Sequence, residues 1–104
     1  DSVNCIDPKK FFELDKNRGL NVFDFRKQDE HASEHIPLSQ NIPLDFINQN
    51  MYLLPKVSPF YIHCAGGYRS MIAASILKSR GIHNFIDVKG GLGAIKKTGI
   101  ALIN

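Results

Sequence analysis

Apolar and polar positions along the chain fall into short alternating blocks. Residues 3–6, 20–25, 39–42, 60–63 and 84–88 are brief apolar, aromatic or β-branched runs bounded by turn residues, and each reads as a strand. The intervening segments read as helices. The first opens at Asp7-Pro8, an acid at the cap followed by proline at the first helical position, and runs to about residue 17, with Gly19 at its exit. Its apolar stripe of Phe11, Phe12 and Leu14 is expected to pack in the core. A short polar helix is expected over 27–32, and a longer one over 45–54, stopped by Pro55. Helices over 71–80, closing on Gly81, and over 92–98, following Gly90-Gly91, complete the chain. Such alternation predicts an α/β fold with three α/β/α layers, a mostly parallel sheet covered by helices on both faces, with right-handed crossovers. Pro43 places the strand over 39–42 at a sheet edge, because proline cannot serve a central ladder.

Composition narrows the class. A chain of 104 residues with 43% apolar and 22% charged side chains suits one globular domain. No apolar run approaches the ~20 residues that span a bilayer, and no signal peptide is recognisable, so no membrane role is expected. The chain opens at Asp1 rather than methionine, which suggests a domain of a longer protein or a processed product. Its two cysteines, Cys5 and Cys64, show no paired spacing; neither a disulfide framework nor a zinc ribbon is indicated, and a reduced, cytoplasmic setting fits. Cys5 sits in an apolar run and reads as a small buried hydrophobe.

Charge adds an asymmetry that the net value of +3 hides. Residues 1–54 hold six basic and nine acidic side chains; residues 55–104 hold seven basic and one acidic. The half containing Cys64 would therefore draw small anions. Nucleic acid is not indicated, since no basic run interleaved with aromatics occurs.

The candidate chemistry lies in His63-Cys64-Ala65-Gly66-Gly67-Tyr68-Arg69-Ser70, where strand gives way to helix at the edge of the sheet that binds ligands in open α/β folds. Gly66 and Gly67 allow backbone conformations closed to other residues, so that N–H groups can turn inward as an anion nest. The amino end of the next helix, the Arg69 cation and the Ser70 hydroxyl should all favour a Cys64 thiolate. Four residues separate cysteine from arginine. Cysteine phosphatases place five there to wrap a phosphate, so this smaller ring suits a single added sulfur better. Polar Asp24 and Arg26 end the strand over 20–25; Asp24 can cap the next turn and Arg26 can pair with Glu30 or Glu34. By strand alternation His63 should point away from the loop. His35 reads as structural, His31 and His83 as surface residues, and Tyr68 either covers the sheet edge or lines the pocket mouth.

Asp24-Phe25-Arg26, Glu34-His35-Ile36-Pro37 with Asn41-Ile42-Pro43, the Cys64 loop, and Lys89-Gly90-Gly91-Leu92 resemble, in order and spacing, the motifs of rhodanese sulfurtransferases. The resemblance implies a five-stranded parallel sheet and transfer of sulfane sulfur by double displacement. Cys64 and Arg69 would be catalytic; Ala65, Gly66, Gly67, Tyr68 and Ser70 would hold the substrate; Asp24, Arg26, His35, Gly90 and Gly91 would support them. No metal or organic cofactor is implied, and the partners are a small anionic sulfur donor and a thiol acceptor. The loop interior, residues 65–68, lacks the lysine or arginine of thiosulfate-preferring members, which favours a persulfide donor. The loop is also similar to those of rhodanese domains fused to metallo-β-lactamase-fold persulfide dioxygenases, implying such a partner or a second rhodanese domain. Two alternatives stand beside a sulfurtransferase: a persulfide-binding module without turnover and, disfavoured by loop length, a phosphatase or arsenate reductase.

Overall fold

A computed structural model describes residues 4–104. Val3 of the first expected strand lies outside the described residues. The elements run β1 (Cys5–Ile6), α1 (Pro8–Arg18), β2 (Val22–Asp24), α2 (Gln28–Ser33), β3 (Gln40–Asn41), two 3₁₀ turns (Leu44–Phe46 and Met51–Leu53), β4 (Phe60–His63), α3 (Tyr68–Ser79), β5 (Phe85–Val88) and α4 (Gly91–Lys96). The strands form one sheet in the order β1-β5-β4-β2-β3, every pair parallel. β3 is an edge strand, as Pro43 requires.

Alternation along the strands divides the core in two. On one face Phe11 of α1 and Leu92 and Ile95 of α4 pack with Val22, Tyr61 and Val88. On the other, Ala73, Ala74 and Leu77 of α3 and Ile47 and Leu54 of the 3₁₀ region pack with Phe23, Phe60, Ile62 and Phe85. Phe60 meets Phe23 edge-on at 5.4 Å between ring centres. Each such fully buried aromatic contributes roughly 1.5–3 kcal/mol of transfer free energy. α1 starts on Pro8 and ends at Gly19, whose φ of 63° supplies the left-handed cap. Of its expected stripe only Phe11 is fully buried; Phe12 lies part-exposed under Lys16.

Three expectations are corrected. The segment 45–54 is not a helix but two 3₁₀ turns: its N–H groups close onto carbonyls three positions back, Ile47 to Leu44 at 3.2 Å, Leu53 to Asn50 at 3.0 Å and Leu54 to Met51 at 3.2 Å, and the α-type bond from Asn50 to Phe46 at 3.2 Å is not continued. Cys5 is exposed, not buried: β1 is a two-residue edge strand paired only with β5. α3 begins three residues before the expected Met71, since Gly67 at φ 99° turns the chain directly into the helix. Arg69 and Ser70 therefore ride on the first helical turn. No helix among the described residues is long and apolar enough to cross a membrane.

Candidate functional site

Register brings the chemistry together. Asp24 pairs with His63, the last residue of β4, so Asp24 and Cys64 emerge at the same edge of the sheet. Cys64 is 1% exposed, and two backbone N–H groups converge on its sulfur: Gly67 at 3.1 Å and Ser70 at 3.3 Å. The sulfur is 3.7 Å from Ser70 Oγ, to which a thiol proton can be donated, and the Ser70 hydroxyl also reaches the Gly67 carbonyl at 3.3 Å. Two N–H dipoles aimed at one buried sulfur stabilise negative charge there. Only one of the two glycines needs its freedom. Gly67 takes a positive φ, and a Cβ on it would stand 3.7 Å from the Gly90 backbone, whereas Gly66 has no positive φ and a Cβ there would meet open space.

The loop is clamped from behind by α4. Leu92 N–H donates to the Cys64 carbonyl at 2.7 Å and Gly93 N–H to the Ala65 carbonyl at 3.0 Å. That approach explains the double glycine. A Cβ on Gly91 would stand 2.5 Å from the Cys64 carbonyl oxygen and 2.8 Å from the Ala65 carbonyl, at a φ of 63°.

Asp24 and Arg26 form the brace beneath the site. Arg26 Nε and Nη2 fork onto the Asp24 carboxylate at 2.7–3.0 Å, and Nη2 also donates to the Glu34 carbonyl at 2.7 Å. Arg26 thus pairs with Asp24, not with the Glu30 or Glu34 carboxylates expected of it. Asp24 Oδ1 caps the turn by accepting the Arg26 N–H at 2.9 Å. Burial alone would push the Asp24 carboxyl up, but Arg26, His63 and His31 together hold it below its ordinary range. His31, expected at the surface, instead places Nδ1 3.0 Å from Asp24 Oδ2 and stacks on His35 at 4.0 Å. The His31 side chain reaches from α2 back to the end of β2. His35 is structural as expected: Nδ1 accompanies the His31 carbonyl at 2.8 Å, and its backbone bridges Ile103. His63 is fully buried, and desolvation lowers its pKa against the pull of Asp24. His83 is exposed.

Arg69 is held sideways. Its guanidinium grips Glu30 of α2 in a bidentate pair, Nη1 to Oε1 at 2.7 Å and Nη2 to Oε2 at 3.1 Å. Those hydrogen bonds hold the Glu30 carboxyl down to about 2, although desolvation opposes them, and raise Arg69 in turn. Tyr68 is 79% exposed, so it does not cover the sheet edge. A cleft of about 630 Å³ is lined by Lys27, His31, Asn41, Pro43, Asp45 and Phe46, and a pocket of about 50 Å³ shares Lys27, Pro43 and Asp45 with it and reaches Arg69; Cys64 lines neither. Among the described residues, no cluster of three His, Cys, Asp or Glu side chains is placed to hold a metal ion.

Sequence reasoning missed Glu30, His31 and Asp87. For Glu30 the local spacing offers Arg26, whereas its actual partner, Arg69, is 39 positions away, so nothing local announces the pair. Asp87 offered one usable signal: it is the lone acid of residues 55–104 and falls inside a strand pattern.

Comparison with known proteins is consistent with this geometry. A model of the Rhodanese-like domain matches residues 7–98. The chain is 36% identical over 81 residues to the adenylyltransferase and sulfurtransferase uba4 of Ogataea parapolymorpha, covering 77% of this chain and 21% of that protein. It is 32% identical over 80 residues to the putative sulfur carrier protein YrkF of Bacillus subtilis, covering 77% and 43%. The chain therefore spans less than half the length of either relative. The crystal structure of a rhodanese-like domain protein from Staphylococcus aureus superposes with a TM-score of 0.81 at 31% identity, covering 89% of this chain and 91% of that one.

Proposed function

The chain belongs to the Rhodanese-like domain family, and from that premise we propose that it moves sulfane sulfur through a persulfide on Cys64. The observation that carries this reading is the pair of N–H donors, from Gly67 and Ser70, aimed at a sulfur that is 1% exposed. The Cys64 thiolate attacks the outer sulfur of a donor R–S–S⁻; the bond from that sulfur to R–S breaks, and R–S⁻ departs to take a proton from water. Cys64–S–S⁻ remains in the cradle. A thiolate acceptor then attacks the outer sulfur, and Cys64–S⁻ leaves. Arg69 serves the site from its flank, tied to Glu30, while Ala65, Gly66, Gly67, Tyr68 and Ser70 frame the outer sulfur.

The donor is a thiol persulfide rather than thiosulfate. The cation nearest the loop is already neutralised by Glu30, and no side chain of residues 65–68 is charged. A dianion gains little from such a mouth, whereas a monoanionic persulfide needs only the backbone donors. Mass spectrometry after incubation with glutathione persulfide should find one added sulfur, about 32 Da, on Cys64, faster than with thiosulfate. Cys64→Ala should remove the adduct and all transfer; transfer at the wild-type rate in that variant overturns the proposal.

Burial of the thiol supports a second reading, a persulfide carrier that hands sulfur to an attached or docking partner without rapid turnover of its own. Loading without multiple turnover by the isolated chain separates it from the first. Since the sulfurtransferase and carrier relatives are much longer than this chain, we place the domain beside others in a longer protein, a metallo-β-lactamase-fold dioxygenase or a second rhodanese domain being the partners that its loop sequence favours.

A further inference from the structure

Asp87 is 4% exposed, and its Oδ1 has no hydrogen-bond partner. Phe85, two residues earlier on β5, belongs to the α3-side core, so alternation turns Asp87 toward α3 as well. There it faces Ser70, itself fully buried, whose hydroxyl is near enough to favour the charged carboxylate. Ser70 Oγ also lies 3.7 Å from Cys64 Sγ and 3.3 Å from the Gly67 carbonyl. One hydroxyl proton thus has three acceptors in reach: the carbonyl, the carboxylate and the sulfur once ionised. Burial pushes the Asp87 carboxyl above its ordinary value, with the Ser70 hydrogen bond opposing, and no charged side chain contributes. Around it, β1 sets Cys5 opposite and β4 sets Ile62 opposite; His63 turns to the other face with Asp24, and Arg69 of α3 goes to Glu30.

We propose that Asp87 is a positioning residue for the Cys64 sulfur, acting through Ser70, and that acid and thiol share one proton. As the neutral acid, Asp87 donates its O–H to Ser70 Oγ, and the hydroxyl proton of Ser70 is left to point at the thiolate. As the carboxylate, Asp87 draws that proton to itself and the hydroxyl turns from the sulfur. In the exchange the S–H bond breaks and its proton joins Ser70 Oγ. The original Ser70 proton passes to an Asp87 oxygen, and the electron pair stays on sulfur. No redox partner is needed. The inference rests on Cys64 as the nucleophile of the proposed function, but it is tested without sulfur transfer.

The test follows iodoacetamide alkylation of the Cys64 peptide against pH, resolved by mass spectrometry from that of Cys5. Wild type should show a broad, two-step profile. In Asp87→Asn the amide donates permanently to Ser70, so the profile should become a single step with its midpoint lower by about one pH unit. Asp87→Ala lacks the donor, and its midpoint should not fall. In a Ser70→Ala background, Asp87→Asn should add nothing. A profile for Asp87→Asn that superposes on wild type, or the same shift in the Ser70→Ala background, overturns the proposal. A second measurement needs no change at Asp87: the carboxyl of Asp87, followed by ¹³C NMR, should titrate in two steps in the native chain and in one step in Cys64→Ala. Identical curves overturn it. A coupled profile in a chain that never gains sulfur would overturn the sulfur-transfer reading alone.

Discussion

Asp24 and Asp87 stand at the ends of neighbouring regions of one sheet, both fully or almost fully buried, and they are held in opposite ways. Asp24, on β2, is gripped by the Arg26 fork with His31 at its flank, and its carboxyl is kept below the ordinary range despite burial. Asp87, on β5, has Ser70 and an unpartnered oxygen, and burial pushes its carboxyl up. Residue type and depth are the same, so the partner decides. A buried acid beside a guanidinium is a fixed charge that braces a loop; one beside a hydroxyl is a proton site.

Changes at the two acids should separate these roles, the largest effect coming at the brace. Arg26→Leu strips the guanidinium fork from the buried Asp24 and leaves it only His31 and the residue-26 N–H, and denaturant unfolding should show a loss of about 3–5 kcal/mol. A loss under ~1 kcal/mol would mean that Asp24 simply takes up a proton and that the contrast with Asp87 is false. Asp87→Asn should stay within about 1 kcal/mol of wild type and gain on it as pH rises. The sign follows from linkage: Asp87 has a raised folded-state pKa, so its stabilising contribution is complete below the ordinary value of 3.8 and is lost as pH rises through the folded value. A variant whose stability tracks that of wild type at every pH would place Asp87 with Asp24 as a fixed charge.

The smallest effect on stability belongs to the half-exposed pair outside both. Glu30→Gln should cost no more than about 0.2–1 kcal/mol. Because the Glu30 pKa is depressed, that difference should be present above 4.5 and vanish as pH falls toward about 2. Its functional effect is larger. Freed from Glu30, Arg69 offers its charge at the mouth, and loading of Cys64 from thiosulfate should rise severalfold relative to loading from glutathione persulfide. An unchanged donor ratio would show that Arg69 does not govern the choice.

Much of this molecule is legible from local chemistry. Five apolar runs separated by helical patterns determine an alternating α/β chain, Asp7-Pro8 and Gly19 mark one helix, and Pro43 marks an edge, because each depends on neighbours within a few positions. The Cys64 loop is legible for the same reason: Gly67 turns the chain, and the N–H groups of Gly67 and Ser70 come from the same short segment as the sulfur they hold. The segment 45–54 shows the limit of such reading, since its N–H groups close onto carbonyls three positions back instead of continuing the helix that apolar spacing alone would extend.

Strand register and layer packing decided the rest. They brought Glu30 to Arg69 across 39 positions, laid His31 on Asp24, set Ser70 between Cys64 and Asp87, and left Cys5 on an exposed edge strand. A sequence lists its acids and bases without saying which are desolvated together. Charge state depends on that shared burial and on the one partner within hydrogen-bond reach, and both come into being only when the sheet closes its register and the helices cover it.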